Sequence, residues 1–194
     1  MEKQYIDLYS QHHETIKKHS ADVLNEGRDR SFEKFRAMGF PTSQLENYKY
    51  TDLRETLSMD YGLNLNRIKI SVNPYEVFKC DVPGIASYLY FVVNDAFYPV
   101  NAALNEKLPA GVIIGSLKTA AELHPDLVRK YFGKLSEKQN DGLVAFNGTF
   151  AQDGFFMYVP KNVVLDKPIQ LVNIMRSSVD FMANSHNLII LEQG

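Results

Sequence analysis

Cysteine is almost missing from this chain: Cys80 is the only one in 194 residues. A single thiol excludes an intramolecular disulfide framework and fits a reducing compartment, which makes the cytosol the expected location. Long apolar runs are missing too. The longest, such as Tyr88 to Val93, are far too short to span a bilayer, and the polar start Met1-Glu2-Lys3-Gln4 does not read as an export signal. Charge of one sign is not in excess, because 21 basic side chains face 23 acidic ones for a formal balance of -2. That balance offers neither a basic field for nucleic acid or anionic membrane nor an acidic tail. Two catalytic signatures are absent as well. There is no Gly-x-Ser-x-Gly elbow, and Pro109-Ala110-Gly111-Val112-Ile113-Ile114-Gly115-Ser116 lacks the lysine and the spacing of a phosphate loop. Eleven Tyr and twelve Phe without basic interleaving argue for core packing rather than a platform for stacking bases.

What is present centres on Leu143 to Ile174, LVAFNGTFAQDGFFMYVPKNVVLDKPIQLVNI, read here as short β-rich runs cut at close intervals by turn residues. Phe155 to Val159, Val163 to Leu165 and Ile169 to Ile174 have strand composition, and Asp153-Gly154, Pro160-Lys161-Asn162 and Asp166-Lys167-Pro168 punctuate them. Proline has no amide hydrogen for a ladder, so Pro160 and Pro168 mark corners. The apolar run Leu188 to Leu191 follows about one coil later. Periodicity alone leaves two arrangements open, a wound stack of coils and an ordinary antiparallel meander.

Upstream, Tyr5, Tyr9, His12 or His13, Ile16, Ser20 and Val23-Leu24 recur at helical spacing, which predicts one long helix face. A second helix runs through Phe32, Phe35 and Met38 and ends at Gly39, with Pro41 beyond it, so the two form a helical hairpin. Pro41 to Leu53, PTSQLENYKYTDL, is an irregular connector in which Thr51 or Asp52 can cap a short helix through Leu53 and Leu57. A small sheet is expected from Ile68 and Ile70, then Tyr88 to Val93, an Asn94-Asp95 turn and a return through Phe97 and Val100. Val112 to Ile114 supply another strand. Ser116 caps a helix carrying Leu117, Ala120, Ala121 and Leu123, and a further helix runs from Pro125 or Asp126 to a stop at Gly133. Lys134 to Asp141 reads as a surface loop.

The candidates for chemistry are few. Cys80, followed by Asp81-Val82-Pro83, reads as a small buried hydrophobe, since a cluster or metal needs several soft ligands. His12, His13 and His19 form the densest histidine group, with His12 and His19 two helical turns apart, but no third and fourth zinc ligand accompanies them. Gly115-Ser116 could hold an anion at a helix N-terminus, although simple capping accounts for it. Asp153, Asp166 and Asp180 stand in or beside apparent turns and read as turn formers. No catalytic residue and no metal site is assigned, and the residues name no cofactor.

Taken together, the connector PTSQLENYKYTDL, the pattern YFVVNDAFYP, the run LPAGVIIGSLKTAAELHPDLVRKYFGKL and the block LVAFNGTFAQDGFFMYVPKNVVLDKPIQLVNI resemble the SufB/SufD family of iron-sulfur cluster assembly proteins, its SufD branch more than its SufB branch. The similarity runs from Pro41 to Gly194 and more loosely over the helical start. Two positions depart from it, Tyr48 where the family usually carries Trp and Asn162 where it often has Gly; Asn tolerates a left-handed backbone. The resemblance implies an α+β region leading into an all-β one: an N-terminal helical hairpin and small α/β region, then the first coils of a right-handed parallel β-helix beginning near Leu143. The segments expected are 1–60 helical, 61–140 small α/β and 141–194 the start of the β-helix. It further implies that the chain is the N-terminal part of a protein roughly twice as long, truncated inside the β-helix. The missing part would dock a SufC-like ATPase and meet a SufB-like paralogue, and the open coil around Leu188 to Leu191 would favour self-association. The implied function is a non-enzymatic scaffold of the SufBCD complex, in which the complete assembly, not this stretch, handles iron-sulfur clusters. No contact with nucleic acid or membrane is implied. The alternative is a β-helix enzyme acting on carbohydrate or acyl substrates, which would need carboxylates or a histidine converging from adjacent coils.

Overall fold

A computed structural model describes residues 2–51, 53–69, 71–78, 86–99 and 107–194. Cys80, Ile70, Val100 and Asp52 lie outside the described residues. The first helix, α1 (Glu2–Lys18), carries Glu2 in its first turn and Lys17 and Lys18 in its last, which matches the helix dipole at both ends. It buries Tyr5, Tyr9 and Ile16. The apolar face predicted to continue through Val23 and Leu24 does not. The helix stops at Lys18, and a separate turn, α2 (Asp22–Asn25), follows. The reason lies in packing: Tyr5, Tyr9 and Ile16 join one core, whereas Val23 and Leu24 join another. One straight face cannot serve both. The side chain of Asn25 donates to the Lys17 carbonyl at the break.

The next helix, α3 (Arg28–Met38), ends as expected at Gly39, whose φ of 65° is in the left-handed region and whose amide donates to the Phe35 carbonyl. Short helical turns α4 (Arg54–Leu57) and α5 (Pro74–Val77) follow the connector, and Asn73 caps the second by accepting from the Tyr75 amide. Ile68 lies in irregular chain and is exposed, not in the strand expected there.

Two three-stranded sheets form the β part. In the first, β1 (Tyr88–Val93) pairs antiparallel with β2 (Ala96–Tyr98) through the predicted turn at Asn94, where φ is 58°. In the second, β3 (Ile113–Ser116) lies antiparallel to β4 (Phe155–Val159). Between them in sequence come α6 (Leu117–Leu123), α7 (Pro125–Tyr131) and α8 (Gly142–Phe150). After β4 the chain crosses to the first sheet as β5 (Ile169–Ile174), parallel to β1, and returns to the second as β6 (Leu188–Leu191), parallel to β4. The strand orders are β2-β1-β5 and β3-β4-β6.

Three expectations for the block that begins at Leu143 are corrected. Its first nine-residue element, α8, is a helix and not a β-rich run. Asp141 caps it, its carboxylate accepting from the Leu143 and Val144 amides. Val144, Phe146, Thr149 and Phe150 look like strand residues, but contact with α1 and α3 decides the outcome. Val163 to Leu165 is not a strand, and Asp153-Gly154 is not a turn but a buried junction between α8 and β4. Asn162 does adopt the left-handed backbone, with φ at 60°.

Strand β4 holds the layers together. Phe155, Met157 and Val159 point into a core shared with Tyr88, Tyr90 and Val92 of β1. On its other face Phe156 packs with Ile190, Leu117, Ala120, Ala121, Val128, Val23 and Leu24. The third core is aromatic: Tyr9 stacks on Phe32 at 4.4 Å, and Tyr5 and Phe35 meet Phe146 edge-on at 5.1 and 5.2 Å. Phe146 belongs to α8, so this core reaches across the expected 141 boundary.

Close backbone approach fixes the glycine next to the junction. A Cβ on Gly154 would lie 1.9 Å from the His186 carbonyl oxygen, whereas one on Gly115 would meet nothing within 4 Å. Gly154→Ala is therefore expected to destabilise the fold by at least about 1–3 kcal/mol through forced backbone displacement, and Gly115→Ala to stay within about 1 kcal/mol. Urea unfolding of both variants checks this; equal midpoints would show that the junction has room.

Candidate functional site

The sequence candidates do not converge. Cys80 lies outside the described residues. His12 is exposed and His13 and His19 are partly so, all along or just beyond α1. Among the described residues no group of three or more His, Cys, Asp or Glu is arranged to hold a metal ion. Asp166 sits at the edge of the first sheet, accepting from the Tyr88 hydroxyl at 2.7 Å, and this hydrogen bond holds its carboxyl below the usual range. Asp180 is exposed, its carbonyl accepting from the Gly62 amide. These carboxylates make structural contacts and do not face one another across a site.

Asp153 has the most developed surroundings. Its Oδ1 accepts from the Ser116 hydroxyl at 2.8 Å and from the Lys118 amide at 3.0 Å, and its Oδ2 accepts from the Phe97 amide at 3.3 Å. The helix N-terminus at Ser116 is thus occupied by an anion from within the chain. Ser116 also caps α6 by accepting from the Thr119 amide, which bears out the capping expectation. Arg67, itself left-handed at φ 54°, places Nη1 2.8 Å from Asp95 Oδ1 and Nη2 3.9 Å from Asp153 Oδ2. Burial pushes the Asp95 carboxyl up despite that cation. The neighbouring Gln152 donates to the carbonyls of Ile16 and Leu65. This is a largely buried polar junction whose carboxylates are engaged by groups of the chain itself.

A second buried cation performs a similar task. Arg28 is 1% exposed and donates to Asn25 Oδ1, the Thr149 carbonyl and Ser20 Oγ, joining α2, the end of α8 and the start of α3. Burial draws its pKa down to about 10. The connector is fixed too: Tyr48 donates its hydroxyl to Asp141 Oδ2 at 2.7 Å, on the same carboxylate that caps α8.

A concave feature lies elsewhere. A cavity of about 480 Å³ opens between α2, α3, the segment after α7, and α8, with His186 in its wall. Arg30, Lys34, Arg129 and Lys134 line it, and so do Glu26 and Glu137. Arg129 pairs with Glu26 at 2.9 Å and Arg30 with Glu137 at 3.1 Å. His186 directs Nδ1 at Asn147 Oδ1, 2.7 Å away, and its ring lies 4.8 Å from that of Phe132. Burial pushes the imidazole pKa down, which favours the neutral ring. Sequence reasoning missed this site because its residues are scattered from Val23 to His186, and no local motif joins them.

With the fold and its polar contacts described, the comparisons with known proteins give the family. The family described as SufBD protein N-terminal region matches residues 1–171. The chain belongs to the SufBD family. It is 38% identical over 96 residues to the iron-sulfur cluster assembly protein SufD of Bacillus subtilis (strain 168), covering 48% of this chain and 22% of that protein. It is 32% identical over 107 residues to the iron-sulfur cluster assembly SufBD family protein ABCI9 of Arabidopsis thaliana, covering 53% and 23%. Over 97 residues it is 34% identical to the SufBD family protein slr0074 of Synechocystis sp. (strain ATCC 27184 / PCC 6803 / Kazusa), covering 49% and 20%. The matching part is less than a quarter of each of these relatives. No helix among the described residues is long and apolar enough to cross a membrane.

Tyr48 gives the site's pH test. Burial and the bond to Asp141 push its pKa up to about 12, above the value of about 10 for an unfolded tyrosine. A group raised on folding contributes stability that is complete below the unfolded pKa and lost as pH rises through the folded one. Stability is expected to fall between about pH 10 and about 12, and Tyr48→Phe, at a cost near 1 kcal/mol at neutral pH, to flatten that decline. Unfolding measured across alkaline pH checks it; an unchanged alkaline slope in the variant would remove Tyr48 from the account.

Proposed function

We propose that this chain is a non-enzymatic scaffold part of the Suf machinery, acting in the cytoplasm within a SufBCD-type complex that assembles iron-sulfur clusters. The observation that carries the reading is the match of the SufBD N-terminal region to residues 1–171. Its SufD-named relative favours the SufD branch. The closed polar contacts around Asp153 support an architectural role, because every oxygen of that carboxylate is engaged by the chain itself. The partners in this reading are a SufB-like paralogue and a SufC-like ATPase. The alternative of a carbohydrate- or acyl-directed enzyme has less support, since Asp153, Asp166 and Asp180 do not converge.

The same proposal includes a right-handed parallel β-helix, starting at β4 and not near Leu143. Its support is the winding order: β4 and β6 are parallel neighbours although β5, between them in sequence, belongs to the other sheet. β5 is likewise parallel to β1. Each passage adds one strand to each sheet, as stacked coils do. Self-association through β6 belongs to the reading as well, with Ile189 and Leu191 exposed on that edge strand and Ile190 buried.

Affinity purification of the tagged gene product from its own cells, coupled to iron and sulfide analysis of the isolated 194-residue chain, tests the function. The expected result is recovery of a SufB-like protein and a SufC-like ATPase with the gene product, and less than stoichiometric cluster on the isolated chain with or without Cys80→Ser. A stoichiometric cluster lost on Cys80→Ser, or hydrolase turnover without Suf partners, would contradict the scaffold reading.

A further inference from the structure

The geometry points to the cavity beside His186 as a binding site for a small oxyanion that still carries a proton, of the phosphate or phosphate monoester type. This goes beyond the scaffold reading and stands independently of it. The amide of Asn147 has one orientation only. Its Nδ2 donates twice, to Asn184 Oδ1 at 2.8 Å and to the Ser185 carbonyl at 2.9 Å, so its Oδ1 faces the imidazole as an acceptor. His186 Nδ1 must then carry the hydrogen, and in the neutral ring Nε2 is left with a lone pair. Nε2 makes no hydrogen bond among the described residues and is not sealed from solvent, and His186 is among the residues that line the cavity. The cavity therefore offers one fixed acceptor.

The opposite requirement comes from the cations. Arg30 and Arg129 are held in ion pairs with Glu137 and Glu26, and Arg129 also takes Asp126 from outside the wall. Lys34 gives one of its three donors to the Gln139 carbonyl. Lys134 makes no side-chain hydrogen bond or ion pair among the described residues. Four cations against two lining anions leave an excess of positive charge, with spare donors on the two lysines. Phe132, Val144 and Ala145 supply apolar wall, and about 480 Å³ is the size of a small-molecule site. Carboxylate and sulfate would satisfy the lysines but bring no hydrogen for Nε2. A hydrogen phosphate or a monoester monoanion brings both.

Calorimetric titration of the chain at mildly acidic pH and constant ionic strength separates the possibilities, using inorganic phosphate, glycerol phosphate, sulfate and a phosphoserine peptide as probes. Phosphate and glycerol phosphate are expected to saturate one site, at least about fivefold more tightly than sulfate, because one added hydrogen bond to a fixed acceptor is worth about that factor. Lys34→Gln with Lys134→Gln should weaken both oxyanions about tenfold or more, and His186→Phe should remove the preference for phosphate. Should His186→Phe fail to fold, nitrogen-15 spectra of the wild-type imidazole report the same point, since Nδ1 must be protonated and Nε2 must shift when phosphate binds. No saturable binding, equal affinity for sulfate, indifference to the lysine pair, or a hydrogen on Nε2 in the free chain would overturn the proposal. Tighter binding of the phosphoserine peptide would overturn it as well, by assigning the cavity to a protein partner.

Discussion

Three consecutive residues, Gln152, Asp153 and Gly154, carry the constraint on which the other contacts depend. Each faces a different part of the chain: Gln152 the end of α1 and the loop at Leu65, Asp153 the start of β2 and of α6, and Gly154 the backbone at His186. A buried carboxylate is costly unless hydrogen bonds and a cation replace its hydration. Here the Phe97 and Lys118 amides, the Ser116 hydroxyl and the more distant Arg67 do so. Meeting that demand requires β2, α6 and the segment at Arg67 to be in place together. The polar junction thus couples β2, α6 and the segment at Arg67.

The layers follow from this junction. β4 leaves it with alternate side chains committed to two cores, Phe155 and Met157 to one and Phe156 to the other. α8 enters it from the aromatic core with Phe146 and Phe150 packed against Tyr5 and Tyr9. Arg28 binds the same helix close to the junction, in its last turn, through the Thr149 carbonyl. The cavity at His186 is a separate concave feature between α3 and the segment after α7.

Several local signals in the sequence correspond to the structure where the chemistry is itself local. Gly39 at the end of α3, Ser116 at the start of α6, the Asn94 turn and left-handed Asn162 all follow from backbone preference and hydrogen bonding within a few residues. The errors fall where distant packing decides. Val144, Phe146, Thr149 and Phe150 have strand composition, yet Asp141 and the spacing of Leu143, Phe146 and Phe150 were an available helix signal. Val23 and Leu24 keep helical spacing with Tyr5 and Tyr9 but pack in another core, which no periodicity reveals. Asp153 followed by glycine reads as a turn because its partners lie 35 to 56 residues away. The cavity at His186 was illegible for the same reason.

Amide hydrogen exchange on an Asp153→Asn variant tests the central role of the junction most directly. The replacement keeps an oxygen for Ser116 and Lys118 but sets an amide donor against the Phe97 N–H, and removes the charge facing Arg67. If the junction couples the layers, protection falls together at Phe97 in β2, at Lys118 in α6 and along the β4–β6 ladder. Loss confined to the Phe97 amide, with α6 and the ladder as protected as in the wild type, would contradict it.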